Sequence, residues 1–148
     1  MSSATFADLA DGGRRLAALL PDALIERSLL VKIGEGGQVT GAAVAEALGR
    51  EVVAVPTTRD DVGVRVDLTG VDVSGRDVVV IDDGVETGTA AMVAGAALRA
   101  AGASGLVLAV PVCPRDSEAA LRLRYDDVIA VTRPLVRRSL RSHYETFA

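Results

Sequence analysis

A chain of 148 residues with 49% hydrophobic content and a mean hydropathy of +0.33 is long enough for one domain with a continuous core, and too apolar to be largely disordered. A net charge of −4 provides no broad basic face for displacing counterions from nucleic acid, and two Phe, two Tyr and no Trp leave few rings for base stacking. The single cysteine, Cys113, excludes an internal disulfide, and one His with one Cys cannot build the common zinc sites.

The start, MSSATFADLADGG, has no basic residue ahead of an apolar core, so a secretory leader is not expected and a cytoplasmic location is the default. Residues 5 to 20 place Phe6, Leu9, Leu16, Leu19 and Leu20 at helical intervals, weakened at Gly12 and Gly13, and residues 1 to 24 read as an N-terminal helical segment. LLVKI (29 to 33) is a short strand that stops at GEGG. A helix is expected over 39 to 49, ended by Gly49.

EVVAVP (51 to 56) is a second strand, and VGVRVDL (62 to 68) alternates like a strand with one wet face. RDVVVID (76 to 82) has no polar alternation, which predicts burial on both faces, as in a parallel sheet. A crossover helix follows over 88 to 102, then a strand over 105 to 112, a short helix over 116 to 124 and a last strand over 127 to 132. The most apolar window, 90 to 112, is split at Gly102 to Gly105 into pieces too short to cross a bilayer, so no membrane partner is expected. Strands alternating with helices predict an α/β fold, an open and mostly parallel twisted sheet flanked by helices, in one domain over 1 to 148 with a mixed tail from 133 to 148.

In such sheets ligands bind beyond the carboxyl ends of the strands, where VVVIDDGVETGTAA (78 to 91) turns from strand to helix. The first amides of that helix lack internal partners and suit a phosphate. Gly84 and Gly88 permit close approach, and Thr87 and Thr89 offer hydroxyl donors. Asp82 and Asp83, on the other side of this cup, suit two neighbouring sugar hydroxyls or a hydrated magnesium ion and would repel a second phosphate. A ligand with both a phosphate and a diol, such as ribose 5-phosphate, meets both requirements.

At these residues the chain resembles the type I phosphoribosyltransferase family, whose signature is an apolar strand, two acids and a Thr/Gly-rich 5-phosphate loop. A second match, LLVKIGEGGQVTGAAVAEALG, looks like the family's pyrophosphate loop and its helix. The resemblance implies transfer of ribose 5-phosphate from 5-phosphoribosyl 1-pyrophosphate to a nitrogen acceptor, nucleobase-like, with Mg2+ as cofactor and release of pyrophosphate. A homodimer is implied by the same likeness. Asp82 and Asp83 would be the catalytic pair and hold the ribose hydroxyls; Gly84, Val85, Glu86, Thr87, Gly88, Thr89 and Ala90 would complete the ribose 5-phosphate site. Lys32, Ile33, Gly34, Glu35, Gly36 and Gly37 would face pyrophosphate. The family's mobile cover would fall within 57 to 70, where Arg59 and Arg65 are the only cations.

Three departures stand out. Glu35 replaces a residue that is often basic, Ala90 stands where a threonine commonly ends the phosphate loop, and Glu86 adds a negative charge beside it. Together with the shortness of the cover, they favour an alternative, a non-catalytic regulatory protein of the same fold that binds phosphoribosyl pyrophosphate or a nucleotide. Elsewhere, Arg133, Arg137, Arg138 and Arg141 read as a solvated basic run, His143 and Tyr144 as structural or as part of an acceptor pocket, and Cys113 as a small core residue.

Overall fold

The computed structural model describes residues 5–135 and 139–147, with only the backbone of Glu35 and Gly36. Helix α1 (Leu9–Ala17) opens on Asp8, whose carboxylate accepts the Asp11 amide at 2.8 Å. The expected single helix over 5 to 20 is corrected to this shorter one. Its weak centre has a packing reason: a Cβ on Gly13 would lie 2.5 Å from the Thr40 carbonyl oxygen of helix α3 (Glu35–Leu48), so glycine lets the two backbones meet. Pro21 ends the preceding turn and leads into a separate short helix, α2 (Asp22–Arg27), which the apolar pattern did not resolve.

Strand β1 (Ser28–Lys32) then enters the sheet. The start of α3 differs from expectation by four residues. Gly34 takes a φ of 73°, open to glycine at little cost, and this turns the chain so sharply that Glu35 to Gly37 wind into the helix instead of forming a loop. Gly49, at φ 62°, closes its far end as expected.

The strand expected over 51 to 56 contracts to β2 (Val53–Ala54) at the sheet edge, next to Pro56, which has no N–H to donate. Residues 57 to 70 contain an antiparallel hairpin, β3 (Thr57–Asp60) and β4 (Gly63–Val66). The remaining elements alternate as predicted: β5 (Asp77–Ile81), α4 (Thr89–Ala100), β6 (Gly105–Val112), α5 (Arg115–Leu121) and β7 (Asp127–Thr132). A short 3-10 turn, Leu140–His143, follows, and Tyr144 bridges to Phe6.

The five-stranded sheet is parallel throughout, in the order β2-β1-β5-β6-β7. From β1 the chain moves outward to β2, returns to β5 on the other side of β1, and continues away. The direction of winding therefore reverses between β1 and β5, and such a reversal leaves a crevice beyond the strands' carboxyl ends.

Strand β5 explains its own lack of polar alternation. Val78 and Val80 belong to a core with Ala91, Ala94 and Leu98 of α4, while Val79 and Ile81 belong to a second core with Leu16 of α1 and Val44 of α3. All four side chains are buried, each worth about 1.5–3 kcal/mol over exposure. A third, smaller cluster of Phe6, Leu9, Val112 and Tyr144 fastens the C-terminal segment to α1 and β6.

Candidate functional site

A cavity of about 670 Å3 opens at the β1/β5 reversal. Its floor is the loop from β5 to α4, residues 82 to 91. Gly34 comes from the end of β1, Thr57, Thr58, Arg59 and Val64 from the hairpin, and Val110 and Leu140 close the remaining side. The hairpin is tied to the end of β1 by the Gly34 amide, which donates to the Thr57 hydroxyl at 3.1 Å.

Asp82 and Asp83 leave β5 buried, at 9% and 8% exposure. Asp82 turns toward the first turn of α3: a Cβ on Gly34 or Gly37 would stand 3.0 or 2.9 Å from its Oδ1. Glycine at both positions leaves room for this carboxyl where it stands. Its Oδ1 also accepts the Asp83 amide at 2.8 Å. Burial raises the Asp82 pKa well above the ordinary carboxyl range, and the neighbouring charge of Asp83 adds to the effect. Burial likewise raises Asp83, with a smaller contribution in the same direction from Glu86.

Two adjacent carboxyls in a dry wall do not ionise independently. A ligand that donates hydroxyl hydrogens, or a cation that neutralises the pair, relieves that cost. No group of three or more His, Cys, Asp or Glu side chains among the described residues forms a metal cage. Two carboxylates that leave other positions to water and ligand oxygens do match the way magnesium is usually held.

At the other end of the floor, Gly88 caps α4 at φ 86° without a side chain of its own to offer, and the Thr89 amide donates to the Thr87 hydroxyl at 3.4 Å. The first helical bond of this turn runs from the Met92 amide to the Gly88 carbonyl at 2.8 Å, so the Ala90 and Ala91 amides have no helical partner at the cavity lining. The Thr87 and Thr89 hydroxyls stand 3.1 Å apart and exposed at the same mouth. Val85 is buried, and its amide donates to the Val112 carbonyl at 2.8 Å, which clips the loop to β6. Amides, hydroxyls and a positive helix end therefore face one cavity with two buried acids.

The structure gathers residues 82 to 90 and Gly34 at the cavity but places Lys32, Ile33 and Gly37 outside its lining. Ile33 is core, and Gly37 lies against Asp82. The stem of Lys32 runs beneath α3, where a Cβ on Gly41 would stand 2.7 Å from its Cβ and Cδ. The side chain of Glu35 lies outside the described residues, as do Arg137 and Arg138. Of the two hairpin cations, Arg59 lines the cavity and Arg65 pairs with Asp60 at 3.0 Å.

Arg133 is engaged by Glu118 and by the Val128 and Ala130 carbonyls, Arg141 stacks over Phe147, and Cys113 is buried with its thiol pushed up to about 11 by that burial. His143 is buried away from the cavity lining.

Three site contacts had no signal in the sequence. The Tyr144 hydroxyl donates to the Asp83 carbonyl, and room for its ring is left by Gly12 of α1, where a Cβ would meet it at 3.2 Å. Leu140 seals one wall, and its amide donates to the Glu86 carboxylate at 2.6 Å. Tyr125, from the loop before β7, donates to the Ala91 carbonyl at 2.7 Å and steadies the start of α4.

No family model matches the chain. By sequence it is 36% identical over 74 residues to "Putative phosphoribosyl transferase Rv0571c" of Mycobacterium tuberculosis strain H37Rv, a match that covers 50% of this chain and only 17% of that longer protein. By structure it is similar to TT1426 from Thermus thermophilus, with a TM-score of 0.81 at 22% identity over 100% of this chain and 92% of the other. It is also similar to adenine phosphoribosyltransferase from Rhodothermus marinus DSM 4252, with a TM-score of 0.62 at 19% identity over 82% and 77% of the two chains. The chain has the type I phosphoribosyltransferase fold. No helix among the described residues is long and apolar enough to cross a membrane.

Proposed function

We propose that the protein binds 5-phosphoribosyl 1-pyrophosphate in this cavity and transfers its ribose 5-phosphate to a nitrogen acceptor, with release of pyrophosphate. The observation that carries the reading is the meeting of two opposite chemistries in one crevice: paired buried acids just after β5, and the amide end of α4 with its exposed threonine hydroxyls. A sugar diol fits the first and a terminal phosphate fits the second.

Asp82 and Asp83 orient the two ribose hydroxyls, and residues 86 to 90 hold the 5-phosphate. Arg59, on the hairpin, is the one cation among the described lining residues and would face the departing pyrophosphate. The hairpin itself serves as a short cover that limits water at the anomeric carbon, where bond breaking develops oxocarbenium character. Asp82 and Asp83 are also the residues that would hold Mg2+ together with ligand oxygens; when bound, the ion supplies charge neutralisation for pyrophosphate.

The reading is tested by calorimetry with phosphoribosyl pyrophosphate and magnesium on the parent protein, Asp83→Asn and Thr87→Val. Binding that weakens in both variants, with unfolding transitions retained, supports it; unchanged affinity in both moves the ligand elsewhere. Pyrophosphate release over a panel of nitrogenous bases then separates the enzyme from the second reading, a non-catalytic binding protein. That second reading is favoured by one observation, the Glu86 carboxylate inside the phosphate loop.

A further inference from the structure

Glu86 is the one acidic side chain in the proposed phosphate loop, and it is already engaged: its Oε1 accepts the Leu140 amide at 2.6 Å, across 54 residues of sequence. The leucine side chain that this bond positions lies in the cavity wall and fills the space over Gly84. A Cβ on Gly84 would come within 2.5 Å of Leu140 Cδ2, and Gly84 has a φ of 146°, so the loop is shaped around the leucine. We propose that Glu86 is a latch that holds Leu140 in the cavity, and that an inorganic or ester phosphate seated in loop 86–90 releases it.

The coupling to phosphate rests on the phosphate reading of this loop; the latch does not. A bond from an amide to an ionised carboxylate is charge-assisted and short, and it holds that charge oriented at the loop. A phosphate adds a second anion within the same five residues. Repulsion between the two opposes holding both, so phosphate weakens the latch and, by linkage, the latch weakens phosphate binding by the same factor.

The far end of the segment is fastened independently. Tyr144 binds the Asp83 carbonyl, and the Glu145 and Thr146 amides donate to the Phe6 and Ala7 carbonyls at 2.8 and 2.9 Å. Release is therefore confined to Leu140 and its turn, opening the wall beside the cavity while the rest of the C-terminal segment stays docked.

The test is amide hydrogen exchange at Leu140 in the full chain, with inorganic phosphate titrated at constant ionic strength and its affinity measured by calorimetry. Three proteins are compared: the parent, Glu86→Ala, and Glu86→Gln, which keeps an acceptor oxygen and loses the charge. Because Glu86 is exposed, neither change threatens the fold.

Without phosphate, Leu140 should exchange at least threefold faster in Glu86→Ala than in the parent, with Glu86→Gln between them. Phosphate should accelerate Leu140 exchange at least threefold in the parent, have a smaller effect in Glu86→Gln, and bind both variants several-fold more tightly. Equal exchange in the parent and Glu86→Ala without phosphate would overturn the latch. Bound phosphate that leaves parent exchange unchanged would overturn the coupling, as would failure of phosphate to bind any of the three. If phosphate behaves as stated while phosphoribosyl pyrophosphate with magnesium does not bind, the proposed donor fails and the latch stands.

Discussion

Replacing Asp82 by Asn should stabilise the fold at neutral pH while weakening the site. The Asp82 carboxyl is buried beside Asp83, and its pKa is raised well above the ordinary value, first by burial and then by that neighbour. A carboxyl whose pKa rises on folding holds its proton more tightly in the native state. Its contribution favours folding at low pH and is lost as the pH climbs from the unfolded value, near 3.9, through the raised native one. The cost of the buried charge therefore grows as the pH rises.

Asn has nearly the same shape and still offers an oxygen to the Asp83 amide, now 2.8 Å from Asp82 Oδ1, and its NH2 provides a donor toward the Asp83 carboxylate. Removing a charge kept for function typically gains about 0.5–2 kcal/mol, a rise of a few degrees in Tm for a chain of this size. Urea unfolding of both proteins at pH 5 and pH 8 measures the gain. The difference between variant and parent should grow with pH, and taking that difference cancels the carboxylates common to both. An Asn variant no more stable than the parent at pH 8, or a gap that shrinks as pH rises, would refute the assignment of a destabilising charge to this wall.

Gly13→Ala tests the close contact of α1 with α3: its Cβ would meet the Thr40 carbonyl oxygen at 2.5 Å and Ala43 Cβ at 2.8 Å. Overpacking of this kind costs roughly 1–3 kcal/mol against about 1 kcal/mol gained in helix propensity, so the urea midpoint should fall with little change in slope. Tyr125→Phe removes the buried hydroxyl bound to the Ala91 carbonyl and should cost about 0.5–1.5 kcal/mol by thermal unfolding. An unchanged Tm would mean that this bond does not steady the start of α4.

Much of the architecture could be read directly along the chain. Strands β6 and β7 have the expected limits, 105 to 112 and 127 to 132, because each is a short, mostly apolar run that begins at turn residues. The strand, acid pair, glycine-threonine loop and helix order at 78 to 91 is also local chemistry, since each group's role depends on neighbours within a few residues. The order of the strands, and with it the reversal between β1 and β5 that opens the crevice, required the folded chain.

So did the occupants of that crevice's edges. Gly34 and Gly37 read as an anion loop by composition, yet in space they give room to the Asp82 carboxyl, and α3 begins among them. Lys32, the sole lysine, has its stem beneath that helix. The bonds of Glu86 to Leu140 and of Tyr144 to Asp83 join residues 54 and 61 apart. Local periodicity and turn preference act over a few residues, whereas contacts such as these depend on how whole elements dock, which no short stretch of sequence encodes.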